Sequence, residues 1–173
     1  MRVFQHPVRL TIVLGRGMRR TDREIESREE MDDIIRGSQV CRIALAKGKI
    51  PYIVPVSFGY DGESIYIHTA KEGKKIIYFK NNNNVCFEFE RNVKLFKDPI
   101  NACKWTFSYE SVIGFGNIYE LESLKHRENG MNKIMSQYSG KEWIIGEDKL
   151  DNIRVWKIEI NSITGKRSIK LAT

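Results

Sequence analysis

The chain has 173 residues, 41% of them apolar, enough for one domain with a sizeable core, and no apolar run is long enough to span a membrane. Lysine and arginine number 29 against 22 acids, a formal charge of +7, yet five of the bases (Arg2, Arg9, Arg16, Arg19, Arg20) crowd the acid-free first twenty residues. Setting those five aside leaves +2, too little for a nucleic-acid-binding face on the folded domain.

The first segment, residues 1–17, carries the apolar stretch Leu10-Thr11-Ile12-Val13-Leu14, which is too short for a secretory signal. Its arginine-rich composition suits an organellar transit peptide or an upstream start equally. Met18-Arg19-Arg20 would begin the domain well, so the expected division is a basic extension over 1–17 and a single domain over 18–173. Ser27-Arg28-Glu29-Glu30 has the form of a capping box, and Met31, Ile34 and Ile35 follow at helical spacing, predicting a helix to about Arg36 closed by Gly37. Val40 to Ala46 alternates as a strand, Lys47-Gly48-Lys49 turns, and Pro51 to Tyr60 reads as a second strand. Asp61-Gly62 is a hairpin signal, and Ser64 to His68 is the returning strand.

His68-Thr69-Ala70-Lys71-Glu72-Gly73-Lys74-Lys75 then sets three lysines around a glycine where a strand hands over to a short helix, Gly73 to Lys80. Helix starts carry partial positive charge and unpaired N–H groups, so cations there are unfavourable unless an anion sits among them. The segment therefore reads either as a phosphate site or as a solvated charge run. The asparagines 81–84 stop the helix, Val85 to Glu90 alternates again, and Lys104 to Glu110 with Ser111 to Glu120 form an antiparallel pair or one long bent ribbon. Gly114 and Gly116 mark a bulge or a close backbone approach. Ser123 caps a helix with Leu124, Met131, Ile134, Met135 and Tyr138 near one face, and Val155 to Ile160 is the last strand before a basic tail of Lys166, Arg167 and Lys170. About six strands in hairpin order with helices between them predict a mainly β fold, a six-stranded antiparallel split barrel with flanking helices.

Three cysteines, Cys41, Cys86 and Cys103, are an odd number without Cys-x-x-Cys spacing, which suits free thiols and a cytoplasmic address. The three histidines have no paired spacing, so no metal site is expected. No Gly-x-Ser-x-Gly elbow, Walker loop or three-glycine dinucleotide fingerprint is present, and Glu88 and Glu90 read as solvated positions on one strand face. Trp156 reads as core. What is left is an anion site fed by strands with no nucleophile beside it, a pattern that suits a cofactor bringing its own chemistry.

The blocks Val40-Cys41-Arg42-Ile43-Ala44-Leu45, Pro51 to Tyr60, Ile65 to Ala70 and Gly73-Lys74-Lys75, with Ala102-Cys103-Lys104-Trp105 and Tyr109 to Gly116, resemble the pyridoxamine 5′-phosphate oxidase-like, FMN-binding split barrels. Within that superfamily the chain is most similar to the 5-nitroimidazole antibiotic resistance proteins. The resemblance implies an FMN in a groove between two protomers of a homodimer, acting on a small molecule with NADH or NADPH as electron donor. It implies that Thr69, Lys74 and Lys75 hold the phosphate with help from Lys71. The strand Val54-Pro55-Val56-Ser57 would lie along the isoalloxazine, and Ser111 and Val112, with Trp105, would approach it from the second subunit. His68 occupies the histidine position of the nitroimidazole group, where the general oxidase carries a tyrosine, and becomes the candidate catalytic residue. The implied function is reduction of a nitroaromatic or other small oxidised substrate. Two other readings stay open. One is a flavin- or haem-binding module without fast turnover, with His68 as an axial ligand. The other is a pyridoxamine 5′-phosphate oxidase-related enzyme, against which stands Thr164-Gly165-Lys166-Arg167 where the oxidase has Arg-Leu-His.

Overall fold

A computed structural model describes residues 18–168; the expectations for residues 1–17 and for Lys170 lie outside the described residues. After a 3₁₀ turn at Thr21–Arg23 come strand β1 (Glu24–Ile25), helix α1 (Arg28–Gly37), β2 (Cys41–Lys47), β3 (Ile50–Val56), β4 (Gly59–Tyr60), β5 (Ser64–Ala70), helix α2 (Lys74–Asn81) and β6 (Asn84–Phe96). A second 3₁₀ turn at Ala102–Lys104 leads to β7 (Thr106–Glu120), followed by α3 (Leu124–Ser139), α4 (Glu147–Leu150) and β8 (Ile153–Ser168). All strands join one antiparallel sheet in the order β3-β2-β6-β7-β8-β5-β4, with β1 paired to β8. Six strands are long and two have two residues, so the six-stranded expectation becomes a sheet of eight.

Three elements differ in extent from their sequence reading. Pro51 to Tyr60 is two strands, broken at Ser57 and Phe58, where the Phe58 N–H leaves the ladder and donates to Tyr138 Oη at 3.1 Å. The two halves expected over 104–120 are the single strand β7, which starts two residues late because Ala102–Lys104 forms a turn capped by Asn101. The supposed basic tail is the end of β8, where Arg167 pairs with Glu30 at 2.8 Å. That pairing also alters the capping box. Ser27 accepts the Glu30 N–H at 3.2 Å as expected, but the Glu30 carboxylate turns to Arg167 instead of back to the cap.

Inward positions alternate with outward ones along β2, the first half of β6 and much of β7. Cys41, Ile43 and Leu45 of β2, Phe87 and Phe89 of β6, and Ile65 and Ile67 of β5 close over one core with Phe58 at its centre, its ring 4.8 Å from that of Phe89. Gly114 of β7 faces the same interior, and a Cβ there would lie 2.4 Å from the Phe87 ring, so it is close approach that requires glycine. The bulge also expected here lies between Phe115 and Gly116 in the pairing of β7 with β8. Helix α2 packs Tyr78 against Tyr52 of β3 and Phe79 against Trp156 of β8, with ring centroids 5.2 and 5.0 Å apart, and so bridges two strands that are not neighbours. Trp156 is core, as expected. Helix α3 buries Gly130 and Ile134, whereas Leu124 and Tyr138 of the expected apolar face are exposed. No helix among the described residues is long and apolar enough to cross a membrane.

Candidate functional site

Three elements converge at one end of the barrel: the end of β5, the start of α2 and the edge strand β3. Gly73 makes the handover from β5 to α2. Its φ of +144° and ψ of 162° lie in a region open essentially only to glycine, and they reverse the chain at once. Helix α2 then begins with no side-chain cap and no acid in its first turn, while Lys74 and Lys75 stand at its positive end.

None of Lys71, Lys74 and Lys75 has a carboxylate partner among the described residues. Lys74 instead rests its ammonium 4.7 Å from the Tyr52 ring centroid, which ties the helix start to β3. Lys75 lies close enough to His68 of β5 to act on its titration. Desolvation first, and the Lys75 charge second, hold His68 below the ordinary histidine value of 6.5. His68 points outward, open to solvent on one side, with no hydrogen-bond partner among the described residues. A structural histidine would use its ring nitrogens; these are free.

Thr69, the next residue, faces the other way. It is 2% exposed, and its hydroxyl donates to Ala70 O and accepts from Trp156 Nε1 at 3.1 Å, so its side chain serves the core. Arg154 Nε holds the Lys71 carbonyl at 2.8 Å and Arg154 Nη1 grips both oxygens of Glu120, at 2.7 and 2.9 Å. This pair fixes the lysine loop from behind. Neither residue, nor Tyr52, was singled out from the sequence, because their roles depend on distant partners: Lys71 and Glu120 for Arg154, 83 and 34 residues away, and Lys74 for Tyr52.

The β3 edge offers a limited set of backbone groups. The β2–β3 hairpin turns through Gly48 and Lys49, with Gly48 at φ +57° and Lys47 opposite Ile50. Alternation from that closing pair puts Tyr52, Val54 and Val56 in hydrogen-bonded pairs with β2 and turns the backbone groups of Pro51, Ile53 and Pro55 off the sheet. Proline lacks an N–H, so the free edge of β3 presents three carbonyls and the one N–H of Ile53. Of the expected segment, Val54 and Val56 therefore spend their backbone on β2, and Pro55 and Ser57, both exposed, face outward.

Ser111, Val112 and Trp105 lie elsewhere in the protomer. Strand β7 stands three places from β3, roughly 15 Å along the sheet. Val112 is fully buried with both backbone edges paired, to Phe89 and Gly165, and has no surface to offer; Ser111 is the half-buried member of the pair. Trp105 is 47% exposed, its Nε1 donating to Asp98 O at 2.9 Å. The structure thus brings together His68, Lys74 and Lys75, with Lys71 in the loop between them and Tyr52 of β3 beneath Lys74, and leaves Trp105 and Ser111 apart from β3.

A family model described as pyridoxamine 5′-phosphate oxidase matches residues 27–167. Among solved structures, the chain is similar to a proposed 5-nitroimidazole antibiotic resistance protein from Bacteroides thetaiotaomicron, with 28% identity over 83% of this chain and 86% of that one and a TM-score of 0.74. An FAD- and haem-binding protein from Mycobacterium smegmatis shares the fold at 15% identity, covering 87% of this chain and 76% of that one with a TM-score of 0.76. A flavocytochrome from Azotobacter vinelandii does so at 12% identity, over 91% and 75%, with a TM-score of 0.75. No curated protein matches in sequence.

Proposed function

Because the chain belongs to the pyridoxamine 5′-phosphate oxidase family, we propose that it is an FMN-dependent oxidoreductase that reduces a nitroaromatic or similar small oxidised molecule, working as a homodimer. The observation that carries this reading is the uncapped, acid-free start of α2, where Lys74 and Lys75 have no carboxylate, and the neighbouring His68 no hydrogen-bond partner, among the described residues. A phosphate dianion would satisfy the first-turn N–H groups and both ammonium groups together. Bound there, FMN supplies the two-electron chemistry.

The chain's own residues bind, orient and protonate. The carbonyls of Pro51, Ile53 and Pro55 and the Ile53 N–H are placed to take the polar edge of a ring lying along β3. His68, held below its ordinary value by desolvation first and the Lys75 charge second, is largely neutral at pH 7; a phosphate that offsets Lys75 would remove the smaller of the two causes, and the imidazole stands where it can pass a proton to reduced substrate.

Dimerisation is supported by the outer face of the sheet. Ile53, Ala44, Cys86 and Phe115 stand opposite one another in a row across β3, β2, β6 and β7, and Ile53 and Phe115 are exposed. Covering such a row is what a second copy would do, and it is the route by which Trp105 and Ser111 could reach a flavin lying on the partner.

The test is an absorption spectrum of the purified protein, light scattering, and NADH or NADPH oxidation coupled to loss of a nitroimidazole. Flavin bands, about twice the chain mass and coupled turnover are expected. Absence of flavin uptake would overturn the reading. The free imidazole of His68 also favours a second reading, a flavin or haem carrier; a Soret band on adding haem, lost in His68→Ala, with no coupled turnover, would select it.

A further inference from the structure

Behind the lysine loop lies a cleft of about 420 Å³ that the flavin reading does not use, between the loop at Lys71, the end of β7 and the start of β8. We infer that this cleft is an adenylate subsite, which receives the adenosine monophosphate half of a dinucleotide whose other phosphate sits at the α2 start. The inference rests on the flavin reading only for where that first phosphate lies.

The cleft has the separate recognition elements that an adenylate needs. Its phosphate side is Lys71, whose ammonium takes no partner among the described residues and which is joined by a single loop to Lys74. That spacing suits the second phosphate of a pyrophosphate whose first is at Lys74 and Lys75. On its far side, Arg127 is pinned through Nη2 to the Leu150 carbonyl and to Asp151, so a cation is held in place without a flexible side chain having to be ordered on binding. Glu122 is exposed and likewise takes no partner among the described residues, an acceptor placed for a ribose diol, which offers two donors. Ile153 gives the cleft an apolar wall for the base, and its volume falls in the range of small-ligand sites. A simple anion would need only the cations. The combination of unpaired cation, unpaired carboxylate and apolar wall fits a nucleotide.

Two molecules carry this group with a free ribose diol: FAD, as the bound cofactor, and NADH, as the electron donor; the 2′-phosphate of NADPH would meet the Glu122 carboxylate. The experiment measures dissociation constants of FMN, FAD and AMP for the full chain by calorimetry, and the KM and kcat for NADH of the FMN-loaded protein. Each is repeated in Glu122→Ala and, separately, Arg127→Gln. If the cleft serves the cofactor, FAD binds about tenfold tighter than FMN, and Glu122→Ala removes that advantage while leaving the FMN constant unchanged. If it serves the donor, FAD gains nothing over FMN, and Glu122→Ala raises the KM for NADH about tenfold at unchanged kcat. In both cases AMP binds weakly to wild type and not to the variant.

Glu122 is exposed on a turn, so Glu122→Ala keeps the test alive if Arg127→Gln does not fold. Flavin binding with no FAD advantage, no AMP binding and no change in the NADH KM would overturn the inference. Failure of the flavin reading looks different: neither FMN nor FAD binds, and AMP binding alone then decides the cleft.

Discussion

The two ends of the barrel treat their cations in opposite ways, arginines in pairs at one and lysines without a carboxylate at the other. Where α1 meets β6, β7 and β8, the cations are matched: Arg91 with Glu110 at 2.8 Å, Arg167 with Glu30 at 2.8 Å, and Arg42 with Glu88 at 3.1 Å and Glu90 at 2.9 Å. At the α2 end, Lys71, Lys74, Lys75 and His68 have no carboxylate among the described residues, and Lys75 works against the charging of His68. The matched charges around α1 hold the fold together. Unmatched ones at a helix N-terminus raise the free energy of the empty protein, and that cost becomes binding energy for whatever anion relieves it.

The largest effect should come from His68. His68→Ala is expected to keep its flavin and to slow nitroaromatic reduction by roughly 10²- to 10⁴-fold, measured as kcat at saturating substrate. Full activity in the variant would move His68 out of the chemistry and blur the contrast between the two ends.

Arg91→Ala probes the opposite end. It leaves the Glu110 carboxylate with the Asn92 amide alone and frees the Asp33 carbonyl, so a loss of about 1–3 kcal/mol is expected by urea unfolding, with flavin affinity unchanged. The pH dependence gives it a second signature. Burial disfavours the Glu110 carboxylate, but hydrogen bonds from Arg91 and Asn92 outweigh this and hold its pKa below the ordinary 4.5. A depressed carboxylate stabilises the fold above its unfolded value and loses that contribution as pH falls through the folded one. The gap between wild type and Arg91→Ala should therefore narrow below about pH 4.5. A flavin-affinity loss in this variant would show that the two ends are not separable.

Gly114→Ala tests the wall between them. The new methyl would meet the Phe87 ring at 2.4 Å, and overpacking of this kind costs about 1–3 kcal/mol. The expected readout is a lower melting temperature with unchanged flavin stoichiometry.

The smallest effect is on one titration. With His68 held below 6.5, the folded protein binds that proton less readily than the unfolded chain. Stability is therefore lost as pH falls below 6.5, and the loss is complete below the folded pKa. Lys75→Ala should move the His68 midpoint upward in a histidine NMR titration. A midpoint that stays or falls would remove Lys75 from its neighbourhood.

Much of this was legible in the sequence, and the boundary of legibility has a physical cause. Ser27 as a cap, Gly48 as a turn and Gly73 before the lysines are local devices, and each stands where its chemistry puts it. The parity that turns His68 out and Thr69 in is local too, since Ile65, Ile67 and Thr69 alternate on the buried side. On the buried side the Thr69 hydroxyl meets Trp156 Nε1. The lengths of β6 and β8 were not legible. Their far ends lose the apolar alternation: β6 runs on past Asn92 at φ +57° through exposed Val93 and Leu95, held by pairing with β7 alone. The matched end was equally hidden, because Glu30 and Arg167 meet across 137 positions and either would pass for a solvated charge on its own.

The central claim is that the unmatched lysines at the α2 start hold a phosphate. The direct measurement is a pair of equilibrium titrations, FMN and riboflavin, on wild type and on the Lys74→Ala, Lys75→Ala double variant, followed by quenching of flavin fluorescence. Two charge-assisted contacts should make FMN about a hundredfold tighter than riboflavin in wild type, and the gap should close in the double variant while riboflavin affinity stays put. Equal affinities for the two flavins in wild type, or an equal loss of both in the variant, would contradict the account.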